Sequence, residues 1–377
     1  MSPTSPPQRI LIIRPSALGD VCRTVPVLAS LRQAFPEAEI DWVVQDDFAP
    51  AISAHPALSS VVAFPRHRFA TWWHNPFAAW ELVQWLTKLR RTHYDIAIDC
   101  QGLGRSGLIA KVTGASRRVG HRAARELGWL GYNIRHPGPD RIRGNRNADA
   151  KPVHTVDSML SLLACLHIPI VPDMALYLKQ EDADSWVDLR GELGLGGSKY
   201  AVLAPTSRWL SKRWPIERFA ELLEPLHERG FDAAVVVGSA SELAQVQPLL
   251  DAQPPHGMQL VNLVGQTTLA GSMAVIASAS LVIANDSAPL HIAVGFDRPC
   301  VALFGPTDPA IVGPYNRPES VVRKYAPREG EEINFKSSRL RDSLMRLIET
   351  SDVVERIDDE MTRSAEKKES PMGHALP

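Results

Sequence analysis

Short apolar runs alternate with longer stretches of helical spacing along most of the chain, and this alternation sets the first expectation. Residues 9–13 read as a buried parallel strand, and residues 21–35 carry helical periodicity that stops at Pro36. Further strands are predicted at 41–44, 61–64 and 94–99 (YDIAID), with a helix over 102–113 behind the last. A helix within 157–172 is followed by proline punctuation and by a polar stretch, 179–199, with a Gly-rich end, which puts a domain junction near 170–185. A second series then runs strand 200–204, helix 215–229, strand 232–238, helix 241–250, strand 281–284, helix 288–294 and strand 300–304. Such alternation predicts two doubly wound α/β domains facing one another, each an open parallel sheet covered on both faces. Ligands then belong beyond the carboxyl ends of the strands, in the cleft between the domains.

The boundaries expected are a disordered start at 1–8, an N-terminal domain at 9–175 and a C-terminal domain at 176–330. A helical segment follows at 331–361, on the spacing of Leu340, Leu344, Leu347 and Ile348, and then a charged, disordered tail at 362–377.

Composition narrows the partners. The chain has 377 residues, 45% hydrophobic and 22% charged, enough to bury two cores. Its formal net charge of −1 gives no general pull toward nucleic acid, and none is expected as a partner. One local patch departs from this balance: residues 105–146 hold ten Lys/Arg against Glu126 and Asp140. The four cysteines, Cys22, Cys100, Cys165 and Cys300, are far apart in apolar contexts and read as free thiols of a cytoplasmic protein. The Pro/Ser-rich start lacks a basic n-region and a long apolar run, so neither a signal peptide nor a spanning helix is expected.

The candidate chemistry lies at strand-to-helix turns. The stretch IRPSALGDV (13–21) holds one glycine, Gly19, and so cannot be a G-x-G-x-x-G dinucleotide loop. Its acid, Asp20, reads either as a helix N-cap or as a carboxylate offered to a reacting proton. Gln101 and Gly102 follow the strand YDIAID, with Arg105 just beyond. In the second series Thr206-Ser207-Arg208 and Lys212-Arg213 gather hydroxyls and cations before the helix that Pro215 opens, where a phosphate would sit unless the loop is merely solvated. Asp286-Ser287-Ala288 precedes a helix carrying His291, and the small residues there let backbone N–H groups approach a diphosphate; a plain helix cap is the other reading. Gly238 ends a strand, and Glu242 after it is either a ribose acceptor or a surface acid. No carboxylate pair stands at a strand end to hold a divalent metal, so fixed donors and cations are expected to take the charge instead. Residues 66–91 mix basic residues with Trp72, Trp73, Trp80 and Trp85, which suits either a membrane interface or a helix packing its rings inward.

Taken together, IRPSALGDV (13–21), YDIAIDCQGLGRSG (94–107), SRWLSKRWP (207–215), ANDSAPLH (284–291) and LFGPTDP (303–309) resemble the bacterial ADP-heptose:lipopolysaccharide heptosyltransferases, glycosyltransferase family nine. The resemblance spans residues 9–357 and implies a GT-B fold of two Rossmann-like domains, the first for the acceptor and the second for the nucleotide sugar. It implies inverting, metal-independent transfer of heptose from ADP-heptose to a Kdo–lipid A type acceptor, with no resident cofactor. By the same resemblance Asp20 matches the base, and Lys212 with Thr206 and Ser207 the phosphate contacts. Asp286 matches the contact to sugar hydroxyls, with Ser287, Ala288 and His291 close by, and Glu242 with Gly238 the nucleoside contacts. Ser16, Gly19, Gln101, Gly102 and Arg105 fall on the acceptor side. Ala288 departs from the glycine that many relatives have there. A monomer touching the cytoplasmic face of the inner membrane is expected. The alternatives are a relative using another nucleotide sugar or acceptor, an epimerase of nucleotide sugars on the same fold, and a nucleotide-binding protein without catalysis.

Overall fold

The computed structural model describes residues 6–138, 152–326, 333–334 and 343–369. It divides into two compact units, Met1–Tyr177 and Leu178–Pro377. The first holds strands β1 (Arg9–Ile13), β2 (Glu39–Gln45), β3 (Ser60–Phe64), β4 (Ile96–Asp99), β5 (Arg117–His121) and β6 (Ile134–His136). Its helices are α1 (Leu18–Cys22), α2 (Val25–Ala34), α3 (Arg66–Phe69), α4 (Pro76–Arg91), α5 (Gly104–Thr113) and α6 (Thr155–Ala164). The second holds β7 (Tyr200–Ala204), β8 (Ala233–Val236), β9 (Gln259–Asn262), β10 (Leu281–Asn285), β11 (Cys300–Leu303) and β12 (Val321–Val322). Its helices are α7 (Gln180–Glu192), α8 (Ile216–Glu221), α9 (Leu223–Glu228), α10 (Leu243–Leu250), α11 (Leu269–Ala277), α12 (Ala288–Gly295), α13 (Pro309–Val312) and α14 (Thr350–Glu369).

Both sheets are parallel, in the orders β3-β2-β1-β4-β5-β6 and β12-β11-β10-β7-β8-β9. Read from the first strand of each unit these are one topology, in which the chain steps outward on one side, returns to the centre and builds the other side. The central strands explain why. Ile10–Ile13 of β1 and all of β7 and β10 are buried without alternation, as strands covered on both faces must be.

Several expectations change in detail. The helix expected at 21–35 is two, α1 and α2, because Pro26 has no N–H to continue the ladder from the first. Pro225 likewise accompanies the division of 215–229 into α8 and α9. The strands β5, β6, β9 and β12 were not legible because they are short, charged or at sheet edges, and α7 is polar around one buried ring, Trp186. The disordered start is corrected at residues 6–8: Pro7 is buried, and the Gln8 N–H donates to Asp95 Oδ2 at 2.7 Å. The tail is corrected as well. Helix α14 runs on to Glu369, seated by buried Val353 and Ile357 and by Ser320, which donates to the buried Glu360 at 2.6 Å. Met345–Leu347 is a single 3-10 turn, while Leu340 and residues 370–377 lie outside the described residues.

The tryptophans divide between the two readings. Trp85 packs against Phe64 and Phe69 and donates Nε1–H to the Ala63 carbonyl at 2.8 Å, whereas Trp72, Trp73 and Trp80 are exposed. Cysteines 22, 100 and 300 are buried, and burial pushes the first two thiols up to about 12.

Helix α5 lies backbone against backbone on the 3-10 turn Gly128–Gly131. A Cβ on Gly107 would stand 2.2 Å from the Gly128 carbonyl oxygen, and one on Gly131 only 2.0 Å from that of Gly107. Neither contact is to a flexible side chain, so the helix itself would have to move. Gly107→Ala is therefore expected to destabilise the first unit by about 1–3 kcal/mol, read as a lower urea midpoint with unchanged slope; an unchanged midpoint would show that this packing yields.

Candidate active site

In each sheet the first strand pairs with the fourth, and the loops that leave their carboxyl ends diverge to opposite sides. That divergence opens a crevice. In the first unit β1 leads into Arg14–Ala17 and β4 into Cys100–Leu103, and the Ser16 N–H donates to Gln101 Oε1 at 3.2 Å, tying the loops together. The Gln101 loop is shaped from below by Asp99, which is fully buried. Its Oδ1 accepts from the N–H groups of Gln101 (2.8 Å) and Gly102 (3.0 Å), and its Oδ2 accepts from the Tyr132 hydroxyl. Burial pushes the Asp99 carboxyl up, and the bonds from Tyr132, Ser106 and the loop amides pull against it. Gly102 sits at φ +67°, where a side chain would be strained.

Asp20 is not an N-cap. Helix α1 begins at Leu18 after Ala17, and Asp20 is its third residue. The carboxylate turns to two arginines instead: Arg14 Nη2 lies 2.7 Å from Oδ2, and Arg23 Nη2 donates to Oδ1. Arg14 also donates to the Cys100 carbonyl, so one buried guanidinium joins both crevice loops to the acid. The Asp20 side chain remains 25% exposed against 9% for each arginine, so the acid is more open to solvent than its clamps. Gly19, expected in a turn, is instead inside α1 and accepts from Arg23 through its carbonyl. Arg105 is exposed with its guanidinium over the Phe64 ring, 5.8 Å from the centroid. The basic stretch 105–146 is dispersed over α5, β5 and β6. Within it Arg118 holds the Ala115 and Gly131 carbonyls and Arg135 stacks on Trp129, while Arg141, Arg143 and Arg146 fall outside the described residues.

In the second unit the loops after β7 and β10 form the crevice. Asn285, fully buried, joins them: Nδ2 donates to the Pro205 carbonyl at 2.6 Å and Oδ1 accepts from the Trp214 N–H at 3.1 Å. Lys212 Nζ lies 2.5 Å from Asp286 Oδ2, and Thr307 Oγ1 donates to the same oxygen at 2.7 Å. The pair is nearly enclosed, with 13% of the lysine and 8% of the aspartate side chain exposed. Thr206 and Ser207 are buried beside it in sequence, and Arg213 Nε donates to the Ser207 carbonyl at 2.7 Å.

Ser287 starts α12, yet its hydroxyl donates to the Asn285 carbonyl at 3.3 Å and caps nothing. With Pro289 next but one, the first-turn amides that remain belong to Ala288 and Leu290. His291 is 2% exposed and stands inside α12 rather than on the crevice surface. Glu242 is also different from expectation. Its Oε2 accepts from the Ser239 N–H (2.7 Å) and hydroxyl (2.8 Å), closing a capping box ahead of α10. A Cβ on Gly238 would lie 3.3 Å from that oxygen and 3.7 Å from Thr206 Oγ1, so these three residues do meet.

Arg14, Arg23, Asp99, Asn285 and Thr307 escaped the sequence reading. Arg14, Asp99, Asn285 and Thr307 lie within the quoted stretches 13–21, 94–107, 284–291 and 303–309, and Arg23 stands one helical turn after Asp20, which is the signal that could have found them.

Two Rossmann-like units, each with polar groups gathered at its switch point, are the architecture of the GT-B class of enzymes. Residues 83–339 match glycosyltransferase family 9 (heptosyltransferase), and the chain belongs to that family. It is 31% identical to lipopolysaccharide heptosyltransferase 1 of Pseudomonas aeruginosa over 82% of each chain. It is 28% identical to the Escherichia coli K12 protein of the same name, over 90% of this chain and all of that one. Among solved structures, E. coli heptosyltransferase WaaC with ADP matches at TM-score 0.71 and 25% identity, covering 93% of this chain and 99% of that one. A family 9 transferase from Veillonella parvula shares the fold at TM-score 0.78 and 21% identity, over 94% and 98%.

Asn285→Ala would leave the Trp214 N–H and the Pro205 carbonyl buried without partners, at about 1–3 kcal/mol for each group. The second unit is expected to melt at lower temperature, as calorimetry would register; unchanged melting would mean that the loops hold without this bridge.

Proposed function

We propose that the chain moves heptose from ADP-heptose to a hydroxyl of a lipopolysaccharide inner-core acceptor of the Kdo–lipid A type, with inversion and without a metal, as a monomer at the cytoplasmic face of the inner membrane. The observation that carries the reading is the pairing of Lys212, Asp286 and Thr307 at one switch point, with an accessible carboxylate, Asp20, at the other.

The donor side works by exchange of partners. Lys212 turns from Asp286 to the diphosphate, where a point charge offsets the negative charge that develops as ADP departs. Asp286 is thereby released to accept from hydroxyls of the sugar, and the Thr206 and Ser207 hydroxyls and the amides opening α12 bind phosphate oxygens. Glu242 keeps its second oxygen for the ribose while the first stays in the capping box. On the acceptor side the hydroxyl oxygen attacks the anomeric carbon opposite the diphosphate, and the bond from that carbon to the departing oxygen breaks. The hydroxyl proton passes to Asp20. A quarter of the Asp20 side chain is open to solvent while Arg14 and Arg23 hold it in place, which gives the proton a route to the carboxylate. Ser16, Gly19, Gln101, Gly102 and Arg105 belong to the acceptor's surroundings. The use of fixed cations supports transfer without a metal, and the proposed steps draw on no resident cofactor.

ADP release from ADP-heptose is expected only when a Kdo–lipid A acceptor is present, and to persist in EDTA. Conversion of the sugar without ADP release would identify an epimerase. Asp20→Asn should lower turnover by roughly 10²–10⁴-fold, and turnover at the wild-type rate would remove Asp20 from proton transfer. Lys212→Met is expected to raise the donor KM and lower kcat, because the lysine serves both bound diphosphate and departing ADP; unchanged kinetics would place the diphosphate elsewhere.

A further inference from the structure

Helix α4 presents an outer face that its own unit does not cover. Asn75 caps it, its side chain accepting from the Phe77 and Ala78 amides at 3.0 and 3.3 Å, so the helix starts firmly. Its inner positions, Ala78, Leu82, Trp85 and Leu89, pack into the core. On the outside Phe77 is 63% and Trp80 57% exposed, their rings stacked at 5.8 Å, and Trp73 in the preceding turn is 72% exposed. Aromatic surface of this extent is uncommon without a partner.

One face, followed at helical spacing, runs Phe77, Trp80, Gln84, Lys88 and Arg91, aromatic at its start and cationic at its end. The cationic end borders an open cavity of about 340 Å³ lined in part by Arg9, Lys88 and Arg91. The nearby acids are already taken. Glu81, the single acid of α4, pairs with Arg68 at 2.7 Å, and Glu39 pairs with Arg9 at 2.9 Å. Because α4 links the carboxyl end of β3 to the amino end of β4, its aromatic end lies toward the carboxyl end of the sheet, beyond which Asp20 and Gln101 stand.

We propose that this face docks on an anionic phospholipid bilayer, the rings entering the headgroup layer and the cationic cavity receiving headgroup phosphates. The proposal rests on the acceptor being lipid-borne, as in the reading above, and adds the surface that meets the lipid. Indole rings favour the headgroup level and cations favour anionic lipid, and both occur on one helix.

The test is co-sedimentation of the full chain with phosphatidylethanolamine–phosphatidylglycerol vesicles, with phosphatidylcholine vesicles as the uncharged control. Binding to the anionic vesicles is expected, weakening with salt and falling about tenfold in Trp73→Ser/Trp80→Ser and again in Lys88→Glu/Arg91→Glu. Wild-type protein that stays in the supernatant, or variants that bind as it does, would overturn the proposal. So would a dimer in sedimentation velocity that the tryptophan variant abolishes while vesicle binding persists, since the face would then be a contact between copies. ADP release with a water-soluble inner-core saccharide is run in parallel and is expected at the wild-type rate in both variants. Its absence from the wild type with soluble and lipid-borne acceptors alike would remove the transferase reading while leaving the vesicle result to be judged alone.

Discussion

The pairing of the first strand of each unit with its fourth is the constraint from which the rest follows. β1 with β4, and β7 with β10, place fully buried apolar strands side by side at the centre of each sheet. Their backbone groups have no water to turn to, so the parallel ladder must be complete there. The loops beyond those strands then have no choice of position: they leave from adjacent points and diverge, and whatever side chains they carry are brought to one crevice.

Within the crevices two kinds of polar group do different things. Asp99 and Asn285 are fully buried and spend their hydrogen-bonding capacity on backbone amides and carbonyls, and so fix the loops. The groups that meet substrate in the proposed mechanism are less enclosed and bound to each other by charge, as Lys212 is to Asp286 and Asp20 to its two arginines. A fully buried bridge is costly to open, whereas an ion pair that borders solvent can exchange one anion for another. The same division recurs in α4, whose inner ring, Trp85, packs on the core and whose outer rings, Phe77 and Trp80, are exposed.

Much of the architecture was legible because periodicity is a local property. The runs at 10–13, 200–204 and 281–284 are apolar without interruption, and that alone marks central parallel strands. Edge strands such as β6 and β9 escaped because much of their surface is polar and they borrow stability from a neighbour. The capping reading of Asp20 failed for a related reason. Sequence places an acid near a helix start, but whether it turns to the helix amides or to a guanidinium depends on Arg14, which β1 delivers from outside the helix.

The sequence by itself determined the two α/β series, the identity of the chemical groups at their turns and the family to which the chain belongs. Tertiary structure decided which of those groups touch: Lys212 with Asp286 across 74 residues and Ser16 with Gln101 across 85. The reason is physical. Residue type and spacing fix what a side chain can bond to, but only the pairing of distant strands sets which partner arrives within 3 Å.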